Sequence, residues 1–164
     1  MSHRTSLRLG MAGLGVSLAL LASLIVIDTI LSHAGDNAAT VSQRARGIIE
    51  ASGIEGGLII HLGCGDGRLT AALRAGDRYM VHGLDRSADN VAAARKHFHS
   101  LGLNGPVSVD RLMGRRLPYV DNLVNLAIAE DLDGVSMDEV MRVLCPEGVA
   151  YIKRNGKWTL ARKP

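Results

Sequence analysis

Aromatic side chains are scarce in this 164-residue chain. Phe, Trp and Tyr together make up 3% of it, so its core has to be aliphatic, built from Leu, Val, Ile and Ala. Cysteine is almost missing too: Cys64 and Cys145 are the only two, enough for one pairing at most. Strong charge of either sign is also lacking. A net +3 spread along the sequence is too small and too scattered to argue for a nucleic-acid partner. There is no internal repeat, no low-complexity tract, no Cys/His spacing that suggests a metal, and no Ser-His-Asp set. The length bounds the chain to one domain.

What is present begins with an apolar block. Arg4 and Arg8 precede Leu9 to Ile27, which is apolar or small throughout, and "LSHAG" then places Ser32 and Ala34 where a signal peptidase prefers small residues. Residues 1–34 therefore read as a signal peptide cleaved after Ala34 or as a retained membrane anchor, with membrane contact through residues 9–31 in the second case. A buried helix is the third reading.

Beyond the polar linker Gly35–Thr40, helix-like and strand-like stretches alternate. "VSQRARGIIEASG" reads as a short amphipathic helix, "GLIIHLG" as a buried strand, and "GRLTAALRAG" as a helix closed by Gly76. "RYMVHGLD" is a second strand ending at Asp85. "SADNVAAARKHFHSLGL" is a helix with Ser87 as its N-cap and His97 and His99 near its C-terminus. "PVSVD", "NLVNLAIAE" and "VAYIKR" are further strands, and "SMDEVMRVLCPEG" is a helix ended by Pro146 and Gly148. Residues 155–164 read as a basic tail or linker with no clear element. Strand–helix alternation predicts the α/β class with a parallel sheet built from right-handed crossovers. Cys64 and Cys145 then fall at opposite edges of that sheet, beyond the ~7 Å a disulfide spans, so two free thiols are expected.

In such a sheet, ligands lie outside the carboxyl ends of the strands at the switch point beside the first one. Three features converge there. The first is "GCGDG", Gly63 to Gly67, where missing side chains let a backbone approach a ligand. The N–H groups of the helix that follows are expected to hold an anion. The second is Asp85, 22 residues after Gly63 and at the end of the next strand, a spacing that suits a carboxylate accepting from a ribose diol. The third is "AED", Ala129 to Asp131, which makes Glu130 and Asp131 the acids available for catalysis at that edge.

The glycine spacing is not the dinucleotide pattern, since the last glycine comes one residue early and Arg68 follows. The G-x-G-x-G form in "IIHLGCGDGRLT" resembles motif I of class I S-adenosylmethionine-dependent methyltransferases. "VHGLDRSADNVAAAR", "LPYVDNLVNLAIAEDL" and "EVMRVLCPEGVAYI" are similar to later segments of that family and occur in family order, so the resemblance covers residues 41–154. It implies a Rossmann-like open parallel sheet of about five strands with flanking helices, behind the N-terminal signal or anchor helix. It implies S-adenosylmethionine as cofactor, with His61, Gly63, Cys64, Gly65, Gly67, Asp85 and Arg86 around it and the adenine near Leu112 and Met113. His61 stands where the family usually has an acid; as a cation it would repel the cofactor's ammonium, so it has to be neutral. The acid that the family often has after the third strand has no clear counterpart, and Asn125 stands where an aspartate is common before the fourth strand. The family sheet also continues with an antiparallel pair beyond the fifth strand.

A methyltransferase acting on an unidentified acceptor is the first functional expectation. An exported, non-catalytic methyltransferase-like binding module, the N-terminal piece of a larger secreted protein, is the alternative. A dinucleotide-binding oxidoreductase fragment is the third, disfavoured by Arg68 and the early Gly67. The positive-inside pattern of Arg4 and Arg8 sends the domain outside the cytoplasm, whether secreted, periplasmic or anchored. Composition leaves the oligomeric state open, and an unpaired sheet edge offers a route to self-association.

Overall fold

The computed structural model describes residues 38–164, and the signal or anchor reading of residues 1–34 lies outside them. Among the described residues no helix is long and apolar enough to cross a membrane. The compact unit Thr40–Pro164 carries the fold. Its first helix, α1, covers 38–52 and stops at Gly53, whose positive φ of 68° lets its amide turn back onto Ile49 O. There follow β1 (Gly57–Leu62), α2 (Arg68–Ala72), β2 (Tyr79–Asp85), α3 (Ala88–Ser100), β3 (Val107–Arg111), β4 (Val124–Ala129), α4 (Met137–Val143), β5 (Leu144–Arg154) and β6 (Lys157–Arg162).

The six strands form one sheet in the order β3-β2-β1-β4-β5-β6. β1 to β5 are parallel, and β6 returns antiparallel along β5. Strand order reverses at β1, which pairs with β2 on one side and β4 on the other, so the crevice expected at the switch point lies above Leu62.

Alternation along each central strand feeds two cores. Ile59, Val81, Leu126 and Ile128 pack with Ala45 and Ile48 of α1 and with Phe98 of α3. Ile60, Leu62, Leu84 and Ala127 pack with Val140 and Val143 of α4 and with Leu117 of the β3–β4 connection. Phe98, 2% exposed, and Tyr79, 8% exposed, are the buried aromatic rings of a mostly aliphatic interior among the described residues. The β3–β4 connection has no helix of its own. Arg142 of α4 holds it instead, donating to the carbonyls of Leu117 and Tyr119 and pairing with Asp121 and Glu139. The same loop is tied to β2 by a 2.8 Å hydrogen bond between Tyr119 Oη and His82 Nδ1.

Three local readings are corrected. The helix expected to end at Pro146 and Gly148 is α4, which stops at Val143, and Leu144 to Gly148 already belong to β5. The helix expected to run to Gly76 is α2, only five residues long. Residues 155–164, read as a tail, form most of a β-hairpin. Asn155 and Gly156 both have positive φ, 49° and 75°, the two-residue turn whose twist matches paired strands. Trp158 then stacks on Tyr151 at 4.8 Å between ring centroids, with the planes 7° apart. Both cysteines are free thiols, with Cys64 buried.

Candidate cofactor site at the carboxyl edge of the sheet

The end of β1, the loop after it and the end of β2 are tied together by one carboxylate. Asp85 is 7% exposed. Its Oδ2 accepts from the Gly65 amide at 2.9 Å. Its Oδ1 accepts from the Ser87 amide at 2.9 Å and from Asn90 Nδ2 at 3.1 Å. A carboxylate offers about four acceptor positions, so these three bonds leave one on Oδ2 for a ligand hydroxyl. A second hydroxyl bond requires the Gly65 amide to let go. Ser87 also caps α3 by accepting from the Asn90 amide, which fixes Asn90 beside Asp85.

The glycines divide by role. Gly63 and Gly65 have φ of 68° and 56°, and a Cβ on either would point into open space. Their missing side chains leave a concave surface for a ligand to lie against. Gly67, at φ 80°, caps α2, and a Cβ there would come within 2.7 Å of Phe98 and 2.8 Å of Ala94. It is required for packing against α3. Gly83 makes room in the same way for Cys64, whose sulfur would sit 2.9 Å from an added Cβ. Burial pushes the Cys64 thiol up to about 12, so it fills space as a neutral group.

Several of the amides around the helix N-terminus, where an anion-holding role is expected, already have acceptors in the protein. The Gly63 and Cys64 amides donate to Leu84 O, Gly65 to Asp85, Gly67 to Cys64 O, and Arg68 to Asp66 Oδ1. Those five amides are used inside the protein, and a five-residue helix has a small dipole. The loop supplies shape and backbone proximity.

His61 is buried beneath this loop, 4% exposed, with Nδ1 2.8 Å from Thr70 Oγ1 of α2. Burial, and then the nearby Arg44 guanidinium, lower its pKa to about 4, against the weaker opposing pull of Glu130 and Asp85. It is therefore neutral at physiological pH, as the resemblance requires of a group beside an ammonium.

Glu130 and Asp131 lie where expected, at the end of β4, but both are engaged. Glu130 forms ion pairs with Arg44 of α1 and, at 3.3 Å, with Lys153 of β5. The Arg44 hydrogen bond, with help from Lys153, holds its carboxyl below the usual range. Arg44 also lies over the Trp158 ring, 5.4 Å from its centroid. Asp131 accepts from the Asp133 amide in a local turn. A cleft of about 590 Å³ opens between these acids and the β5–β6 turn, lined also by Leu132, Lys153 and Arg154.

Arg86 turns away from the loop glycines. Its guanidinium pairs with Asp133 at 2.7 Å and donates to Gly114 O at 2.9 Å, strapping the end of β2 to the loops after β3 and β4. Leu112 is buried and its amide donates to Asp85 O, while Met113 is 78% exposed. Asn125 is at the opposite end of the sheet from the site, where Oδ1 accepts from the Leu58 amide at 2.9 Å. Asp110 is taken up by Arg95 and His82.

Arg44, Thr70, Asn90 and Lys153 belong to this neighbourhood and were not singled out in the sequence. Asn90 carried a signal, because a residue three beyond an N-cap folds back toward it. Arg44 and Lys153 carried none, since a lone cation on a helix or strand reads as solvated.

A methyltransferase-domain family model matches residues 59–148. No curated protein matches the sequence. Among solved structures, a protein from Methanococcus maripaludis described as an S-adenosyl-L-methionine-dependent methyltransferase superposes with a TM-score of 0.63 at 26% identity. That match covers 70% of this chain and 55% of the other. An S-adenosylmethionine-dependent methyltransferase from Aquifex aeolicus gives 0.59 at 20% identity, over 66% of this chain and 62% of its own. Geranyl diphosphate C-methyltransferase from Streptomyces coelicolor gives 0.61 at 19%, over 68% and 44%. The last two show the fold alone, and the chain spans roughly half the length of these proteins. Glycine loop, the acid ending β2 and strand order agree with a match over more than half of the sequence: the chain belongs to the methyltransferase-domain family and has the class I, Rossmann-like architecture.

Proposed function

We propose that this domain binds S-adenosylmethionine across the carboxyl ends of β1, β2 and β4 and transfers its methyl group to a small-molecule acceptor. The observation that carries the reading is the buried Asp85 carboxylate, which is held by the loop of the open-faced glycines and keeps one acceptor position unused. Gly63 and Gly65 would lie against the cofactor, Asp85 would take a ribose hydroxyl, and His61 would present a neutral ring at the end of β1. When bound, the cofactor supplies a methyl group on a positively charged sulfur, already activated for displacement.

What remains for the chain is alignment and exclusion of water. Glu130 is held ionised by Arg44 and Lys153 and is a weaker base for it. His61, with a pKa of about 4, is weaker than a free imidazole. This set of groups suits an acceptor whose attacking atom carries a lone pair without needing a strong base. The cleft beside Glu130 has the size of a small-molecule site. Placement outside the cytoplasm through the N-terminal segment belongs to the same proposal and rests on Arg4, Arg8 and the apolar run.

The test is calorimetric or thermal-shift titration of the full chain with S-adenosylmethionine and S-adenosylhomocysteine. At 100 times the dissociation constant a binder stabilises by about 2.7 kcal/mol. The expected result is that shift in the wild type and its loss in Asp85→Ala. A folded wild type that neither compound stabilises overturns the proposal and favours the non-catalytic module.

A further inference from the structure

The cleft of about 590 Å³ adjoins the cofactor crevice. Ala129 pairs with Leu62, the last residue of β1, and Glu130, next along the chain, opens the cleft. From there it runs across the end of β5 to Asn155 and Gly156. Its two walls carry opposite charge, Glu130 and Asp131 on one side, Lys153 and Arg154 on the other. Successive residues of a strand point to opposite faces of a sheet. Lys153 and Arg154 both line the cleft, so it straddles the end of β5, and a ligand lying over that end meets both side chains. The two walls are not equally committed. Glu130 uses both oxygens, Oε1 on Arg44 and Oε2 on Lys153, and Asp131 Oδ1 takes the Asp133 amide. An ammonium offers three donors and a guanidinium five. Lys153 places one of its donors on Glu130 at 3.3 Å. Among the described residues the Arg154 side chain has no hydrogen-bond or ion-pair partner. With Arg44 included, the cations Arg44, Lys153 and Arg154 face the carboxylates Glu130 and Asp131, which leaves one positive charge in excess.

We propose that this cleft holds an anionic group of the methyl acceptor, a carboxylate or a phosphate, with Arg154 as its main ligand and Lys153 beside it. The inference rests on the reading of the domain as a methyltransferase. A guanidinium takes either anion through two parallel N–H bonds. The acids of the opposite wall repel that group and so fix which end of the acceptor points toward β5. The strand spacing sets the acceptor's size. Neighbouring strands lie about 4.8 Å apart. An attacking atom over β1 and β4 and an anion over β5 are one to two such spacings apart, about 5–10 Å, which selects a short acid over a long chain.

The test is a titration of the full chain, in a mild non-ionic detergent and at constant ionic strength, read by calorimetry and thermal shift. The probes are malonate, inorganic phosphate and methylammonium chloride, each with and without saturating S-adenosylhomocysteine. Saturable binding of malonate or of phosphate is expected, the tighter of the two identifying the anion, and no binding of methylammonium. Arg154→Gln is expected to weaken the anion by about tenfold or more and to leave S-adenosylhomocysteine affinity unchanged. Lys96→Gln removes the same charge from α3, outside the cleft, and is expected to leave anion binding at the wild-type level. Absence of saturable anion binding, preference for methylammonium, or equal weakening by the two variants overturns the inference. The cofactor arm separates the two ways of failing. S-adenosylhomocysteine binding without anion binding overturns this inference alone. Anion binding that depends on Arg154, in a chain that S-adenosylhomocysteine does not bind, overturns the methyltransferase reading and with it the assignment of the anion to an acceptor.

Discussion

The amide of Gly65 donates to Asp85 Oδ2 at 2.9 Å, so the loop after β1 is anchored to the carboxylate that closes β2. The bond gives Asp85 two duties that one substitution can expose. Asp85→Ala leaves the amides of Gly65 and Ser87 without their acceptor. Part-buried hydrogen bonds to a charged group contribute about 1.5–3 kcal/mol each, reduced where water can replace the lost partner. A loss of about 2–3 kcal/mol in urea unfolding is expected, together with loss of stabilisation by S-adenosylhomocysteine. Asp85→Asn keeps an acceptor oxygen, so it should recover part of the stability and little of the binding.

Two glycines in one loop should fail differently. Gly67→Ala puts a Cβ 2.7 Å from Phe98 and 2.8 Å from Ala94 at a positive φ. Strain and overpacking together should cost about 2–4 kcal/mol, read as a lowered Tm. Gly63→Ala meets nothing within 4 Å, so only the backbone penalty of about 1–2 kcal/mol applies. Its added methyl should instead weaken cofactor binding in calorimetry at least tenfold. Equal effects of the two variants on binding and on stability would contradict this division.

His61 sets a lower pH bound on stability. Its ordinary value of 6.5 falls to about 4 in the fold. Above pH 6.5 the ring is neutral folded and unfolded alike, and the contribution is intact. As pH falls below 6.5, the unfolded chain takes up a proton that the folded one refuses, and stability declines until the folded ring titrates near pH 4. At 1.36 kcal/mol per unit the loss is about 3 kcal/mol. Urea midpoints measured from pH 7.5 to 4 should show that decline, and His61→Gln should remove it. A wild type and variant with parallel pH profiles would place the decline elsewhere.

The hairpin rests on its turn. Gly156→Ala introduces a side chain at φ 75° with open space around it. The expected cost is about 1 kcal/mol, seen as a lower Tm and faster amide exchange at Thr159 and Ala161. Asn155→Gly should be neutral, because that position also needs positive φ, here 49°.

Glu130 tests the account of catalysis. It is half exposed and paired with Arg44 and Lys153, so Glu130→Gln should change stability by no more than about 1 kcal/mol. Binding of S-adenosylhomocysteine should stay within tenfold of wild type. A complete loss of binding would make Glu130 part of the cofactor site.

Patterns that repeat within one element were legible in the sequence: the alternation of strands and helices, the glycine spacing "GCGDG" and the acid ending the next strand. Period and turn chemistry act over a few residues, so they survive without coordinates. The dipeptide Asn155-Gly156 is a hairpin signal too, although the residues after it mix basic, polar and apolar side chains. The length of α2 was not legible. Only five residues long, it carries a weaker dipole than the longer helix expected from the sequence would have had.

The sequence alone determined the fold class, the glycine loop and Asp85, because backbone conformational demands and apolar periodicity are written locally. The tertiary structure decided what surrounds them. It brought Arg44 and Lys153 onto Glu130 from 86 and 23 residues away, set Phe98 against Gly67 and buried His61 against Thr70. Those outcomes depend on which elements become neighbours when the two faces of the sheet are covered, and no spacing along the chain encodes that contact directly.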